Sequence, residues 1–462
     1  MARDMRKDIQ LEVLKLANNR TFRGGVHPLH EIHEGKSPTS GVATRDFNAK
    51  AVSILMGMHL GAPSTPCVQP GDHVKLGQVI GEPVGFLGLP VHASVSGEVL
   101  EVGPVQSVNN PAAMAVTIKN DFKDEWVELH PLGDVETCPV DQIVPAIKAA
   151  GICGMGGASF PTHVKFAVKE GQYCDTIILN GAECETHLTC DHRLMLERSG
   201  RIVDGLRAAM RALNVKKGVI AIEDNKPDAI EAMRKAAQGR DGVEVMPLQT
   251  KYPQGGEKQL IHVVTGREVP TKKLPLDVHV IVLNVGTANA IADAVIEGKP
   301  LISRITTVTG RVRKPANLRI RVGTRAEDLI AECGGFSMDR EHVGKVVLGG
   351  AMTGFPCPTT RVPLTKANNG VVVYCAKESV ELEETPCIRC GRCVDACPIG
   401  LVPFRLKAMC EADDMKAAAD NDIMDCVVCG SCSYICPAHR VLTPAFKAMK
   451  DKIAAEAKKG KG

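Results

Sequence analysis

Aromatic rings are scarce in this chain: Phe, Tyr and Trp make up 3% of 462 residues, with a single Trp. Charge of one sign is scarce too, since 56 Lys and Arg face 53 Asp and Glu, a net charge of +3. A nucleic-acid binder gathers basic side chains on one face and offers rings for stacking, so both shortages argue against that class. Long apolar runs are missing. No stretch approaches the ~18 uncharged apolar residues of a membrane span, so membrane contact is expected through partners only. The opening MARDMRKDIQLEVLKL mixes acids and bases without an apolar h-region, which predicts no signal peptide.

Cysteine, by contrast, is plentiful at 18 residues. Eight fall into two copies of C-x2-C-x2-C-x3-C-P: Cys387, Cys390, Cys393 and Cys397 with Pro398, then Cys426, Cys429, Cys432 and Cys436 with Pro437. This is the ligand spacing of two [4Fe–4S] clusters. Three thiolates on a short loop wrap three corners of a cube, and the fourth cysteine of each run reaches the other cube. One cluster is therefore assigned to Cys387, Cys390, Cys393 and Cys436, and the other to Cys426, Cys429, Cys432 and Cys397. A pair of zinc sites is the bland alternative, but zinc has no use for the x3-C-P tail. Cluster assembly needs reduced thiols, which points to the cytosol rather than to a disulfide framework.

At this length several domains are expected. After an N-terminal segment (1–50), residues 51–130 are rich in Gly and Pro with short alternating apolar runs such as Val74-Lys75-Leu76 and Val95-Ser96-Gly97-Glu98-Val99. The halves VQPGDHVKLGQVIGE and PVHASVSGEVLEV resemble a lipoyl-type barrel-sandwich hybrid. The turn between them, Phe86-Leu87-Gly88-Leu89, lacks the lysine of a swinging-arm carrier, so a structural role is expected. Over 131–300, β-rich runs (Thr176–Leu179, Val219–Ile222, Val278–Leu283) alternate with helical ones (Arg201–Leu213, Lys226–Gln238), which predicts an α/β domain with a parallel sheet. Segment 301–376 reads as a β-grasp module: a β-rich run from Thr306, a capping box Thr324-x-x-Glu327, a helix stopping at Gly334-Gly335, and a strand Lys345–Leu348. The two-cluster domain (377–450) is expected to hold one helix, Val402 to Asp420, between its cysteine runs. A Lys-rich tail (451–462) reads as a frayed, solvated helix end.

A second chemical site heads the α/β domain. Gly154, Gly156 and Gly157, followed by Ala158-Ser159-Phe160-Pro161-Thr162 and Lys165, would let backbone N–H groups approach a phosphate, with Lys165 adding positive charge. The loop is neither a Walker A sequence nor G-x-G-x-x-G as usually placed. Its companions make it specific: NGAECE (180–185), YPQGGEKQL (252–260) and LNVGT (283–287) follow in order. Together they resemble the FMN- and NADH-binding site of the complex I flavin subunit and its relatives. With FRGGVHP (22–28), DHRLMLE (191–197) and the flanking domains, the whole chain resembles the RnfC family, peripheral subunits of ion-pumping ferredoxin:NAD+ oxidoreductase complexes.

That resemblance implies a multidomain α/β fold: barrel-sandwich hybrid, Rossmann-like flavin/NADH domain, β-grasp (SLBB) module and ferredoxin-like two-cluster domain. It implies FMN and two [4Fe–4S] clusters as cofactors and NAD(H) as substrate. Gly154, Gly156, Gly157 and Lys165 would cradle the FMN phosphate, with Ala158 completing the loop. Asn180 and Glu183 would bond the flavin or its ribityl chain, Phe160 would stack on the nucleotide's adenine, and Glu185 would contact the nucleotide. Glu183 and Glu185 are the candidate catalytic residues. Tyr252, Gly255, Gly256 and Glu257 would line the flavin face, and Asn284 and Thr287 would close the phosphate end.

Partners implied are the ferredoxin-like RnfB, the membrane subunits RnfA, RnfD, RnfE and RnfG, and ferredoxin indirectly, at the cytoplasmic face of the membrane. The family pattern is broken by Ser159 where Gly is usual, Ala182 and Gly256 where the complex I subunit has acids, and Thr186 where Pro is common. These departures bear on NADH affinity more than on flavin binding. Two rival readings are a soluble reductase of the same architecture, feeding a cobalamin or amino-acid reductase system, and an adaptor that has lost nucleotide binding. His27, His30 and His33 lie on a Gly/Pro-rich loop of no fixed geometry and are not expected to hold a metal. Cys153, Cys184 and Cys410 are expected to be inert thiols.

Overall fold

The computed structural model describes residues 20–28 and 35–459. The opening stretch without an h-region, together with His30, His33 and Lys461, lies outside them.

Residues 51–120 form two facing antiparallel sheets. One runs Ala51–Leu55, Ala113–Asn120, Gly97–Val105, His73–Val74, and the other Thr65–Pro66, Val79–Glu82, Val91–His92. Val52, Ile54, Val74, Ile80, Val91 and Ile118 fill the space between them. Inward and outward residues alternate as the pleat requires. Leu76 does not extend the strand begun by Val74; it makes an isolated bridge to Trp126, the one tryptophan.

The α/β domain holds a four-stranded sheet in the order Val243–Leu248, Lys217–Glu223, Thr176–Asn180, Val280–Asn284, and every pairing is parallel. Such strands are buried on both faces, which is why they read as continuous Val/Ile/Leu runs. The helix Ser199–Ala212 buries Ile202, Val203, Leu206, Ala209 and Met210 on one face, at the i, i+3/i+4 spacing of an amphipathic helix. The chain first winds outward from Thr176–Asn180, then crosses to its other side to form Val280–Asn284. The reversal opens a crevice at the carboxyl ends of these two strands, at Asn180 and Asn284, which pair in register.

The β-grasp module is a mixed six-stranded sheet ordered Arg45–Phe47, Ala316–Arg321, Ser303–Gly310, Gly370–Cys375, Val343–Leu348, Phe355–Pro356. Its first strand comes from the N-terminal segment and pairs in parallel with Ala316–Arg321. The helix Ala326–Glu332 packs on the sheet, but the expected capping box is absent. Thr324 donates its hydroxyl to the Arg321 carbonyl, 2.7 Å, and Arg325 stands at the N-cap. The free N–H groups of Ala326 and Glu327 are satisfied across the chain by the carbonyls of Val362 and Thr360, so no side-chain cap is needed. The stop at Gly334-Gly335 occurs as read, with both residues left-handed.

In the C-terminal domain the expected single helix is two, Pro403–Glu411 and Met415–Asp420. Asp413 turns left-handed at φ 52°, and Asp414 caps the second helix by accepting from Ala417 N, 2.8 Å. Leu406, Ala418, Ile423, Phe446 and Met449 make the core with the long helix Leu442–Lys459. No helix among the described residues is long and apolar enough to cross a membrane.

Candidate flavin and cluster sites

The glycine loop is a hairpin closed by Gly154 N to Phe160 O, 2.9 Å, and by Thr162 N to Ile152 O, 3.0 Å. It overhangs the crevice, and Gly156, Gly157 and Ala158 are exposed. A Cβ on Gly157 would meet no atom within 4 Å, so the backbone there faces open space that a phosphate can approach. Gly156 is constrained: a Cβ would stand 2.9 Å from Asn284 Nδ2. Ser159, at the usual glycine position, keeps the left-handed backbone at φ 53°.

Asn284 is the N-cap of the helix Val285–Glu297. Its Oδ1 accepts from Gly286 N, 2.8 Å, and its Nδ2 donates to Asp191 Oδ2, 2.7 Å. Thr287 Oγ1 accepts from Met155 N, 3.1 Å, tying the helix start to the loop. A helix N-terminus and exposed loop amides together favour an anion, so these residues fit a phosphate-bearing cofactor. Lys165 donates to Val282 O, 2.8 Å, and pairs with Glu257 Oε1, 3.2 Å, at the rim. Asn180 Nδ2 donates to Gly255 O, 2.8 Å, and Gly255 N reaches Cys184 Sγ, 3.3 Å. Gly256 is the N-cap of the helix Glu257–Thr265.

The two candidate catalytic acids are engaged with protein. Glu183, left-handed at φ 49°, accepts from Asp191 N, 2.7 Å, and His192 N, 3.2 Å, so it caps the helix Cys190–Glu197. Glu185 accepts from Met352 N, 3.0 Å, Thr353 N, 2.9 Å, and the Thr353 hydroxyl. Those amides belong to the β-grasp module. Burial pushes the Glu185 carboxyl up against the pull of these bonds.

Sequence reasoning missed four buried groups around the crevice. Asp191, in the DHRLMLE run, is pushed up to about 6, first by burial and then by the Glu183 charge; Asn284, Arg304 and Lys226 oppose this. Lys36 donates to the carbonyls of Glu183, Glu185 and Leu188 at 2.7–2.8 Å and fixes that loop from the N-terminal segment. Lys226 donates to Ala182 O, 2.6 Å. Arg304 donates to Met155 O, 3.2 Å. Lysines and arginines ordinarily stay exposed, so only Asp191's place beside a recognisable run offered a signal.

Among the cysteines, Cys387, Cys390, Cys393 and Cys436 line one cavity with Phe404 and Ala438. Cys397 lies near enough to act electrostatically on Cys426, Cys429 and Cys432. The two CxxC turns share one backbone form, with Arg389 and Val428 both left-handed at φ 54°. Among the described residues, no three of these eight sulfurs lie within 4.8 Å of one another. A tetrahedral zinc site would bring its sulfurs to about 3.8 Å apart, so the openness fits a cube better than a single ion.

The second cysteine set is docked on the α/β domain. Tyr252 Oη donates to Cys429 O, 2.7 Å, Gly25 N to Ala396 O, 2.9 Å, and Gln259 Nε2 to Pro398 O, 3.3 Å. Val26, Tyr252 and Ala396 are buried in this seam with Cys184, Met352 and Ile435 against them. Burial raises the Cys153 and Cys184 thiols, and Cys410 is raised the same way, so all three are poor nucleophiles.

Comparison with known proteins agrees with this layout. Residues 20–123 match the RnfC barrel sandwich hybrid domain, 147–293 the Nuo51 FMN-binding domain, 305–356 the SLBB domain and 386–439 the 4Fe-4S dicluster domain. The chain therefore carries FMN and two [4Fe–4S] clusters as its cofactors. It is 44% identical over 95% of its length to the RnfC-type subunit of the Na(+)-translocating ferredoxin:NAD(+) oxidoreductase complex of Acetobacterium woodii, covering 98% of that protein. It is 43% identical over 87% of its length to the proton-translocating counterpart of Clostridium ljungdahlii, covering 87% of it. To the corresponding subunit of the ion-translocating oxidoreductase complex of Rhodobacter capsulatus it is 42% identical over 94% of its length, covering 83%. With all four domains in the same order and this identity over nearly the whole length, the chain belongs to the RnfC family of ion-translocating oxidoreductase complexes.

Proposed function

We propose that this oxidoreductase subunit is the electron-input arm of a membrane Rnf complex, exchanging hydride with NAD(H) and electrons with a ferredoxin-interacting partner. FMN, when bound, supplies the conversion between a two-electron hydride and the single electrons that the clusters carry. The observation that carries this reading is spatial: the exposed Gly156–Ala158 backbone and the Tyr252–Cys429 hydrogen bond belong to one domain.

The chain's own residues have distinct tasks in it. Gly156, Gly157 and the amides at the start of the helix Val285–Glu297 would receive the flavin phosphate, with Lys165 at the rim. Asn284 and Thr287 hold loop and helix together. Asn180 and Gly255 fix the floor. Cys387, Cys390, Cys393 and Cys436 would ligate one cluster, and Cys426, Cys429, Cys432 and Cys397 the other. Tyr252 keeps the second set against the flavin domain.

RnfB would exchange electrons with the clusters, and RnfA, RnfD, RnfE and RnfG would carry Na+ or H+ across the bilayer. The chain would then lie peripherally on the cytoplasmic face, since none of its described helices can span a membrane. Anaerobic titration of the purified, cofactor-loaded chain with NADH tests the reading. Flavin absorbance should bleach first and the broad cluster absorbance should follow. Clusters that respond to dithionite but never to NADH would leave only the adaptor reading.

A further inference from the structure

The barrel-sandwich domain touches the crevice through the very turn that distinguishes it from a carrier domain. Phe86 is 75% exposed, more than any other large apolar side chain among the described residues. Leu60 is 49% exposed and Val84 39%. In a chain with 10 Phe, 4 Tyr and 1 Trp, such a ring at a turn tip leaves apolar area in water without a packing return.

Its location is fixed by two contacts. Leu60 N donates to Ser159 O, 3.1 Å, joining the 57–61 loop to the glycine loop. The Phe86 carbonyl bonds the ring of His163, on the helix Thr162–Lys165 directly after that loop, and thereby favours its charged form against the lowering by burial. Gly61 packs on Leu87, so the two barrel-sandwich loops form one ledge. The ledge therefore borders the exposed Gly156–Ala158 backbone.

The residues expected to hold the nucleotide leave it short of partners. Glu185 is committed to the Met352 and Thr353 amides, and Phe160 is half-buried in closing the loop hairpin. A planar base entering the crevice needs a flat apolar surface that is free, and this ledge supplies one.

We propose that Phe86, flanked by Leu60, is a nucleotide-binding residue: the barrel-sandwich domain offers its ring as a stacking platform for a base of the nicotinamide nucleotide. The inference rests on the proposed function above. The domain is then part of the substrate site.

The test uses the cofactor-loaded full chain and its Phe86→Ala, Phe86→Leu and Phe86→Tyr variants. ADP-ribose affinity is read by titration calorimetry, and KM and kcat with NADH and ferricyanide as one-electron acceptor. Loss of a base–aromatic stack should weaken ADP-ribose binding and raise the NADH KM by about tenfold in Phe86→Ala. Flavin content and the visible spectrum should stay unchanged, and kcat at saturating NADH should fall by less than twofold. Phe86→Tyr should restore both constants, and Phe86→Leu should not. An unaltered Kd and KM in Phe86→Ala would overturn the proposal while the parent reading stands. So would full function in Phe86→Leu, which would make the ring mere cover. If the unaltered chain is itself neither reduced by NADH nor able to bind ADP-ribose, the parent reading fails and takes this one with it.

Discussion

Asp191 shows how one buried side chain organises the crevice. It receives Asn284 Nδ2, and through Asn284 it sets the cap of the helix that faces the glycine loop. Beside it the Glu183 carboxylate is also buried, and two such acids resist ionising together. Asp191's folded value, about 6, stands above its ordinary 3.8. The native state thus holds the proton more tightly than the unfolded chain, and stability from this group is lost as pH rises from about 4 through 6. Asp191→Asn keeps an acceptor for Asn284 and removes the charge. It should abolish that part of the slope and gain on the order of 1–2 kcal/mol above pH 7, read from urea unfolding at pH 5 to 8. A slope identical to the parent's would refute the assignment. The sequence displayed DHRLMLE as a recognisable run but not its task, because the partner, Asn284, is 93 residues away.

Among the elements, the α/β strands were legible because burial on both faces makes them continuous apolar runs. Elements whose ends are satisfied by distant chain were not. The capping box failed because segment 360–362 supplies the acceptors, and the Arg45–Phe47 strand is visible only when its partner Ala316–Arg321 is folded beside it. The 349–354 turn is another such case. A Cβ on Gly350 would lie 2.3 Å from Glu185 Oε2, so the turn is shaped around that carboxylate. Glu185→Ala should free the Met352 and Thr353 amides and destabilise the seam by about 2 kcal/mol, allowing for partial solvation of the amides. Limited proteolysis should then cut within 349–354 well before the parent chain is cut there. An unchanged cleavage pattern would show that the turn holds without the carboxylate.

For the whole molecule, the domain junctions carry the unusual ionisations. His92 of the barrel-sandwich domain is buried beside Gly151 of the flavin domain and Lys366 of the β-grasp segment, whose Nζ donates to Gly151 O, 2.7 Å. Burial, then the Lys366 charge, pushes His92 down to about 3, against a backbone bond at Ala149. Because the folded value lies below the ordinary 6.5, stability from the neutral ring is present above 6.5 and is lost as pH falls toward 3. His92→Gln should therefore lose fewer degrees of Tm than the parent between pH 7 and pH 5 in thermal scans. Parallel Tm losses in both chains would sink this account. This trend opposes that of Asp191, so the chain's acid response is the balance of a junction and a site.

What the sequence determined by itself is local chemistry: the two cysteine runs, the glycine loop, the parallel-strand pattern and the order of domains, each carried by neighbours within a few residues. Membership of the family follows from the same linear information. Only the tertiary structure decided that Glu183 caps a helix, that Glu185 holds the β-grasp module, that Lys36 fixes the loop between them, and that Tyr252 meets Cys429. Each of these is a pairing across many residues, and spacing carries no record of it. A buried polar group must find its partner wherever the folded chain places one, and that choice is made by packing.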